Sequence, residues 1–454
     1  TAPGGSPQDV VIGEEIRYQL TTQLPVANLR QFVIRDRLPA GVRCVENGPA
    51  VDLGPGGPHA AAGFNPGGVI TPVCNAAGNE MVGNFGDQEL TMSPGTTRYD
   101  FIIDFVARVE NTAFTNEGVV IRNGGGVAGG GTDVTASYVN ESGTTVVLDF
   151  APVDIVVREP VIALTKSFAV VNSDAADVLT VTVTATNNGT AAAYNLQVLD
   201  DLVGSDLSYI PGSAGGTDPP DNVDITTFGA NQPIFSWNSV NPDYEIAPTA
   251  VKTFTFDVRV DTTAQPLEIL DNTIQAKWDS LPGQTTALNA SGTIGADGSA
   301  LGLRNGALPN AAGAVNDYEA VASASTSVLP LTISKTDLDT AVVPTIGAHK
   351  NFQIEIALPE GTTNNLVVTD ELIFSGLSYF LSNNAPFDVT YTFQDIATIN
   401  GQPPTEAAFN AFPADNASGS VVWDIGTVVT DEENDTAVSA VNPVIRINYY
   451  ARIN

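Results

Sequence analysis

The chain of 454 residues contains only five lysines, at positions 166, 252, 277, 335 and 350. Two of them fall inside apolar, strand-like runs. Side chains alternate across a strand, so Lys166 in VIALTKSF shares a face with Ile162, Leu164 and Phe168. By the same parity Lys335 in LTISK lies with Leu331 and Ile333. The test also finds acids. Asp36 aligns with Phe32, Ile34 and Leu38; Asp200, rather than Asp201, with Leu196, Val198 and Leu202; Asp370 with Leu366, Val368 and Leu372. In LDNTIQAKW, Asn272 shares its face with Ile274, Ala276 and Trp278. Its N-terminal counterpart is read as Asn116 in FTNEGVV, with Asn123 as the alternative. A buried ammonium or carboxylate is costly unless paired or neutralised. An amine, an acid and a carboxamide directed into one core form, at the least, a buried ion pair with an extra hydrogen-bonding group.

These positions recur because the chain repeats. Ile12-Gly-Glu-Glu-Ile-Arg-Tyr18 matches Ile346-Gly-Ala-His-Lys-Asn-Phe352 at an offset of 334 (346 − 12), the same offset that separates Asp36 from Asp370. A weaker copy, VLTVTVTATNNGTAAAYNLQVLDDL, lies between them. ALTKS and TISKT, around Lys166 and Lys335, are 169 apart (335 − 166), and Phe105-Val-Ala-Arg-Val, Phe256-Asp-Val-Arg-Val and Tyr449-Tyr-Ala-Arg-Ile form a third anchor. The unit is therefore ~167 residues, and the chain holds somewhat under three.

Each unit reads as all-β. Alternating runs such as TFTFDVRVD and VIRINYYARI are separated by 42 Gly and 29 Pro, and no window persuasively follows a helical period. The expected architecture is tandem immunoglobulin-like β-sandwiches stacked as an elongated rod, over residues 1–159, 160–329 and 330–454. Long loops are expected at 45–95, 122–133, 211–235, 280–316 and 396–420. The joints VDIVVREP-VIALTKS and ASASTSVLP-LTISKT each pass from strand to strand through a single Pro, with no flexible linker. By the 334 offset Lys335 aligns with Thr1, so unit one is expected to begin after its first strand. Tyr449 to Asn454 matches Phe105 to Glu110, so unit three is expected to stop before its closing strands. Two readings stay open: a segment of a longer array, or strands supplied by neighbouring subunits. Thr1 in place of Met points to a processed chain or a fragment.

The succession of Lys-Ser/Thr, IGxxxxYxL, LPxxxxNLxVxDxL, FxxRV and a late Asn resembles the conserved surface-protein repeats of bacteria, and is similar to the isopeptide-forming domains of fimbrial (pilin) subunits. The likeness spans nearly the whole chain in short, degenerate motifs. It implies that a first-strand Lys joins a last-strand Asn through a side-chain amide promoted by a buried acid. Matched residue by residue, unit two holds Lys166, Asp200 and Asn272; unit three keeps Lys335 and Asp370, with the Asn position falling beyond residue 454; unit one keeps Asp36 and Asn116 without the Lys. Such an amide would span 106 positions (272 − 166). By loop entropy it would add ~4–5 kcal/mol.

Composition limits the remaining choices. Asp plus Glu number 51 against 18 Lys plus Arg, a formal charge of −33, which argues against nucleic acid and anionic membranes. Hydrophobic residues at 43% make the chain foldable despite that charge. With 2 His in the chain (His59 and His349), general-base and transition-metal chemistry has few participants, and no enzyme activity is expected. Cys44 and Cys74 form either a disulfide or two thiols. Asp431, Glu432, Glu433 and Asp435 offer carboxylates to Ca2+ but lack EF-hand spacing, so a solvated acidic turn is the plainer reading and Ca2+ the alternative. No other cofactor is expected. Gly124 to Gly129 matches GxGxxG without the helix a nucleotide site needs. No apolar run reaches the ~18 residues of a membrane span. The expected role is structural: part of an extracellular filament, fimbria or giant-adhesin stalk at the bacterial cell surface, whose partners are copies of itself or adjoining repeats, with divalent cations screening the charge. The alternatives are a carbohydrate-binding or calcium-dependent adhesin region, or a surface-layer protein.

Overall fold

The computed structural model describes residues 7–45, 50–52, 72–90, 98–126, 132–237, 245–282, 302–310, 315–341, 343, 345–374, 377–383, 385–430 and 442–453, with the backbone alone for 50–52, 374 and 377–380. Among the described residues the single helical turn is a 3-10 turn at Glu406–Ala408; the regular structure is otherwise strand.

Strand pairing separates three successive groups. Unit one contains β1 (Gln8–Val10), β2 (Glu15–Pro25), β3 (Asn28–Arg37), β4 (Val42–Cys44), β5 (Ala50–Asp52), β6 (Val73–Cys74), β7 (Glu80–Glu89), β8 (Arg98–Val109), β9 (Val120–Asn123), β10 (Val134–Val139), β11 (Thr145–Asp149) and β12 (Val153–Val157). Unit two contains β13 (Ile162–Phe168), β14 (Asn172–Ser173), β15 (Val178–Asn187), β16 (Ala193–Asp201), β17 (Leu207–Tyr209), β18 (Asn222–Asp224), β19 (Ile234–Ser236), β20 (Glu245–Ile246), β21 (Val251–Val260), β22 (Ile269–Asp279) and β23 (Glu319–Val328). Unit three contains β24 (Thr332–Asp337), β25 (His349–Ala357), β26 (Thr362–Phe374), β27 (Leu377–Ser382), β28 (Thr390–Gln394), β29 (Ile396–Ile399), β30 (Gly419–Thr430) and β31 (Val444–Ile453).

Unit two shows the plan most fully. One sheet runs β13-β15-β21-β17 and the other β14-β23-β22-β16-β19-β18, with β20 beside β16. In β15, Leu179, Val181, Val183 and Ala185 are buried while the intervening threonines are half-buried; in β21, Phe254, Phe256, Val258 and Val260 are buried. This period of two closes one core between the layers. Unit one repeats the plan as β2-β8-β4 against β11-β10-β3-β7-β6, with β1-β12-β9 extending the second layer. By their pairing partners, β9 and β10 together correspond to β22, and β11 and β12 to β23, each strand being split in two. In unit three the path is β24-β25-β31-β27-β26-β30-β29, with β28 on β31. Among its described residues no strand stands where β22 and β23 stand in unit two.

Several expected loops carry regular structure. The 45–95 stretch includes β7, a full-length strand beside β3, and 396–420 holds all of β29 and the 3-10 turn. Cys44 and Cys74 are joined as a disulfide with Cα atoms 5.7 Å apart, tying β4 to β6.

Both joints are docked. At the first, Ser280 Oγ donates to the Ile12 carbonyl (2.7 Å), and Asn111 Nδ2 donates to the Leu303 carbonyl (3.1 Å) and to Asn316 Oδ1 (2.6 Å). Gly13 (φ +86°) lies so close to the Leu303 backbone that an added Cβ would meet it at 2.9 Å, so the joint requires glycine there. At the second, the Thr362 amide and hydroxyl donate to the carbonyls of Ala264 (3.1 Å) and Thr262 (2.9 Å).

Candidate functional site

A bulge precedes each acid. Gln31 (φ 52°), Asn195 (φ 52°) and Asn365 (φ 53°) adopt left-handed backbone five residues before Asp36, Asp200 and Asp370, and the ladders of β3, β16 and β26 shift register there. A bulge resets which face the following residues occupy. From that point Leu196, Val198, Asp200 and Leu202 all turn inward, as do Phe32, Ile34, Asp36 and Leu38.

In unit two this places Asp200 beneath β13 and β22. Lys166 Nζ donates to Asp200 Oδ1, and both side chains are 0% exposed. Asn272 Nδ2 donates to Asp200 Oδ2 at 3.3 Å, while the buried Asn272 Oδ1 has no partner among the described residues. The Phe256 ring lies 5.7 Å from the ammonium. Burial pushes the Lys166 amine down to about 8, against the opposing pull of Asp200. Burial pushes the Asp200 carboxyl up, against its bonds to Lys166 and Asn272. Both directions favour a neutral amine beside a protonated acid. The two ends of a carboxamide are interchangeable in shape. With Asp200 protonated, the turned-over Asn272 presents its orphaned oxygen to the acid's O–H, which satisfies that oxygen and polarises the carbonyl carbon.

Unit one has the acid and a carboxamide without the amine. Asn123 Nδ2 donates to Asp36 Oδ2 at 3.0 Å, and Asp36 is 0% exposed. Asp36 Oδ1 and the Tyr18 hydroxyl are both buried without partners among the described residues. Asn116 is therefore not the counterpart of Asn272. It precedes β9, binds the Ala113 carbonyl (2.8 Å), and accepts from Arg304 (3.3 Å).

Burial pushes Asp36 up to about 7, with the Asn123 bond partly opposing it. The unfolded value is near 3.9, so the folded state holds the proton more tightly. The stabilisation is complete below about pH 4 and is lost as pH rises through about 7. Unit one should accordingly gain on the order of 4 kcal/mol between pH 7.5 and pH 4 from this group. Asp36→Asn should flatten that dependence, and urea midpoints across the pH range for both chains check it.

In unit three Lys335 Nζ meets both Asp370 oxygens at 2.7 Å and lies 4.6 Å from the Phe352 ring. The Tyr449 hydroxyl also donates to Asp370. The expected burial of Lys335 is not found: its side chain is 38% exposed, and Ile333 beside it is 58% exposed. The cause is the missing cover, since β23 packs over β13 in unit two and no described strand lies over β24.

A second polar cluster was not legible in the sequence. Arg304, from the stretch 280–316, is 3% exposed and reaches into unit one. Its guanidinium donates to Glu159 Oε1 (2.6 Å), Asn111 Oδ1 (3.1 Å) and the Thr112 carbonyl (2.7 Å), and Tyr318 Oη donates to Glu159 Oε1 (3.0 Å). Its one signal was a lone arginine in a Gly/Ala/Leu run.

The acidic run Asp431, Glu432, Glu433 and Asp435, and His59, lie outside the described residues. Among the described residues no group of three His, Cys, Asp or Glu is placed to hold a metal ion, and no helix is long and apolar enough to cross a membrane. His349 stacks on Phe387, with ring centroids 3.8 Å apart.

No known family profile and no curated protein matches the chain. Solved structures similar to it include BcpA, the major pilin subunit of Bacillus cereus, at 10% identity and a TM-score of 0.26, covering 62% of this chain and 60% of that one. A 35 kDa C-terminal fragment of the major pilin GBS80 of Streptococcus agalactiae matches at 12% identity and a TM-score of 0.24, covering 61% of this chain and 83% of that one. A putative membrane anchored protein of Corynebacterium diphtheriae matches at 10% identity and a TM-score of 0.21, over 98% of this chain and 82% of that one. The chain thus spans less than two thirds of BcpA, and likenesses this distant carry no argument about function.

Proposed function

We propose that this chain is a load-bearing structural segment of a bacterial surface filament or adhesin stalk, and that unit two is closed by an amide between Lys166 and Asn272. The observation that carries the reading is the fully buried Lys166–Asp200–Asn272 group, which links the first strand of one layer to a strand of the other. In the reaction the neutral Lys166 amine attacks Asn272 Cγ, polarised by protonated Asp200. The Nζ–Cγ bond forms, the Cγ–Nδ2 bond breaks, and ammonia leaves with the proton that the amine gives up. The acid is regenerated and the event happens once per chain, so it is self-modification rather than turnover.

A load applied along β13 would then pass through covalent bonds instead of peeling the β13–β15 ladder. The docked joints fit the same role, because they leave no slack between units. The charge of −33 keeps such shafts apart until salt or divalent cations screen it. The reading places the protein at the cell surface, with copies of itself or adjoining repeats as partners.

Pulling single full-length molecules from end to end tests the mechanical claim. The 106 positions between Lys166 and Asn272 (272 − 166) should stay locked. Lys166→Ala should release about 35 nm of extra contour, at about 3.4 Å per residue. Wild-type molecules that extend by the same amount as the variant would remove the staple.

A further inference from the structure

The acid of unit two is delivered by a one-residue irregularity in its strand. On β16, Tyr194 stands opposite Asp279 of β22 but Gln197 stands opposite Lys277, so β16 carries one residue more than its partner between these pairs. Beyond the irregularity Asp200 stands opposite Ile274 on the inner face, with Asn272 two places further along that face. Without the extra residue, the Tyr194–Asp279 register would set Asp200 opposite Thr273, whose hydroxyl meets Ser323 on the outer face. A slip of one residue exchanges the two faces of a strand. Asp201 would then turn inward instead, one residue or about 3.4 Å away along the strand. The bulge thus selects which of two adjacent acids meets Lys166 and Asn272.

A side-chain bond holds the bulge at this residue. Asn195 adopts left-handed backbone (φ 52°), which asparagine tolerates better than most residues. Its side chain turns inward, and its Nδ2 donates to Asp279 Oδ2 at 2.8 Å, with both residues buried. The bond runs from the bulge to β22, the strand that bears Asn272. Unit one gives the contrast. Gln31 has the same backbone conformation (φ 52°) but is exposed, and its backbone N–H is held by Asp87 of β7, on the opposite side of β3 from β10. The bulge of the unit that assembles amine, acid and carboxamide is therefore the one tied to the carboxamide's strand.

We infer that Asn195 is a positioning residue for amide formation in unit two: its bond to Asp279 fixes the bulge, and the bulge delivers Asp200, rather than Asp201, between Lys166 and Asn272. The inference rests on the amide proposed above and deepens it, by assigning the strand register that the chemistry needs to a residue five positions from the acid.

The test uses the full chain, recovered unfolded from inclusion bodies before the bond forms and then diluted into native buffer. Intact mass is followed over time, with the Cys44–Cys74 disulfide reduced before each measurement. The wild type should lose one ammonia, ~17 Da, as it folds. Asn195→Asp sets two carboxylates against each other and should slow the loss by roughly 100-fold, the effect of misplacing a reacting group by about 1 Å. Exchanging the pair, Asn195→Asp with Asp279→Asn, restores one donor and one acceptor and should recover most of the wild-type rate. Asn195→Gly keeps the left-handed backbone without the bond and should also be slow, so the test survives if Asn195→Asp does not fold. A merely structural role would lower urea midpoints and leave the rate of ammonia loss unchanged in the chains that fold. Wild-type rates in both single variants overturn the inference, as does an exchanged pair that folds but stays as slow as Asn195→Asp. In those outcomes the wild type still loses ammonia and the amide stands. A folded wild type that keeps its full mass removes the amide, and the inference with it.

Discussion

Lys166→Ala should lower the stability of unit two by at least ~4–5 kcal/mol, the loop-entropy contribution of a cross-link spanning 106 positions (272 − 166). The loss should appear as a large fall in the urea midpoint of unit two, with units one and three little changed. Truncating one member of a buried ion pair by itself costs about 3–5 kcal/mol, so the size of the effect alone does not separate bond from ion pair. Asp200→Asn does separate them. It keeps Lys166 and Asn272 in place but removes the acid that polarises the Asn272 carbonyl. If the acid promotes the bond, a freshly folded Asp200→Asn chain lacks it and resembles Lys166→Ala in unfolding reversibly over the whole unit. If unit two is held by an ion pair alone, wild type and Asp200→Asn share the same unfolded-state dimensions, and the denaturant slopes, which report exposed surface, agree.

Arg304→Ala carries the second large effect. Glu159 is 9% exposed and takes the Arg304 guanidinium at 2.6 Å, so among the described residues the substitution leaves this buried carboxylate with the Tyr318 hydroxyl and the Glu117 amide. A cost of about 3–5 kcal/mol is expected. Because Arg304 belongs to unit two while Asn111, Thr112 and Glu159 belong to unit one or its boundary, the cost falls on the joint. Calorimetry should show units one and two melting as one transition in the wild type and as two in the variant. Solution scattering should show a broader spread of end-to-end distances for the variant. An unchanged single transition would mean that the joint is held by the Ser280–Ile12 and Asn111–Leu303 contacts without help from the arginine.

Much of the site was legible because a strand's period is two. Counting alternate residues directed Asp36, Asp200 and Asp370 inward, and each is buried. The same rule put Lys166 with Ile162 and Asn272 with Ile274, and unit two brings all three polar groups together. The rule failed where its assumptions failed. Asn123, the alternative, and not Asn116 meets Asp36: the strand that is continuous as β22 is divided into β9 and β10 in unit one, and the repeat spacing does not carry across the break. Lys335 has the right parity but not the burial, because burial is set by the opposite layer and no sequence period reports that layer. The bulges were invisible because Gln31, Asn195 and Asn365 share a backbone conformation rather than a residue type. Arg304 escaped because its partners lie 145 to 193 positions away, and a loop residue has no period to betray it.

The account turns on whether unit two closes covalently, and intact-mass measurement of the folded full chain decides it. With the Cys44–Cys74 disulfide reduced, the account predicts a mass ~17 Da below that of the sequence, from one ammonia lost, and a digest containing one branched peptide joining Lys166 to Asn272. Lys166→Ala should restore the full mass. A folded wild-type chain at the unshifted mass, with Lys166 and Asn272 recovered in separate peptides, would contradict it.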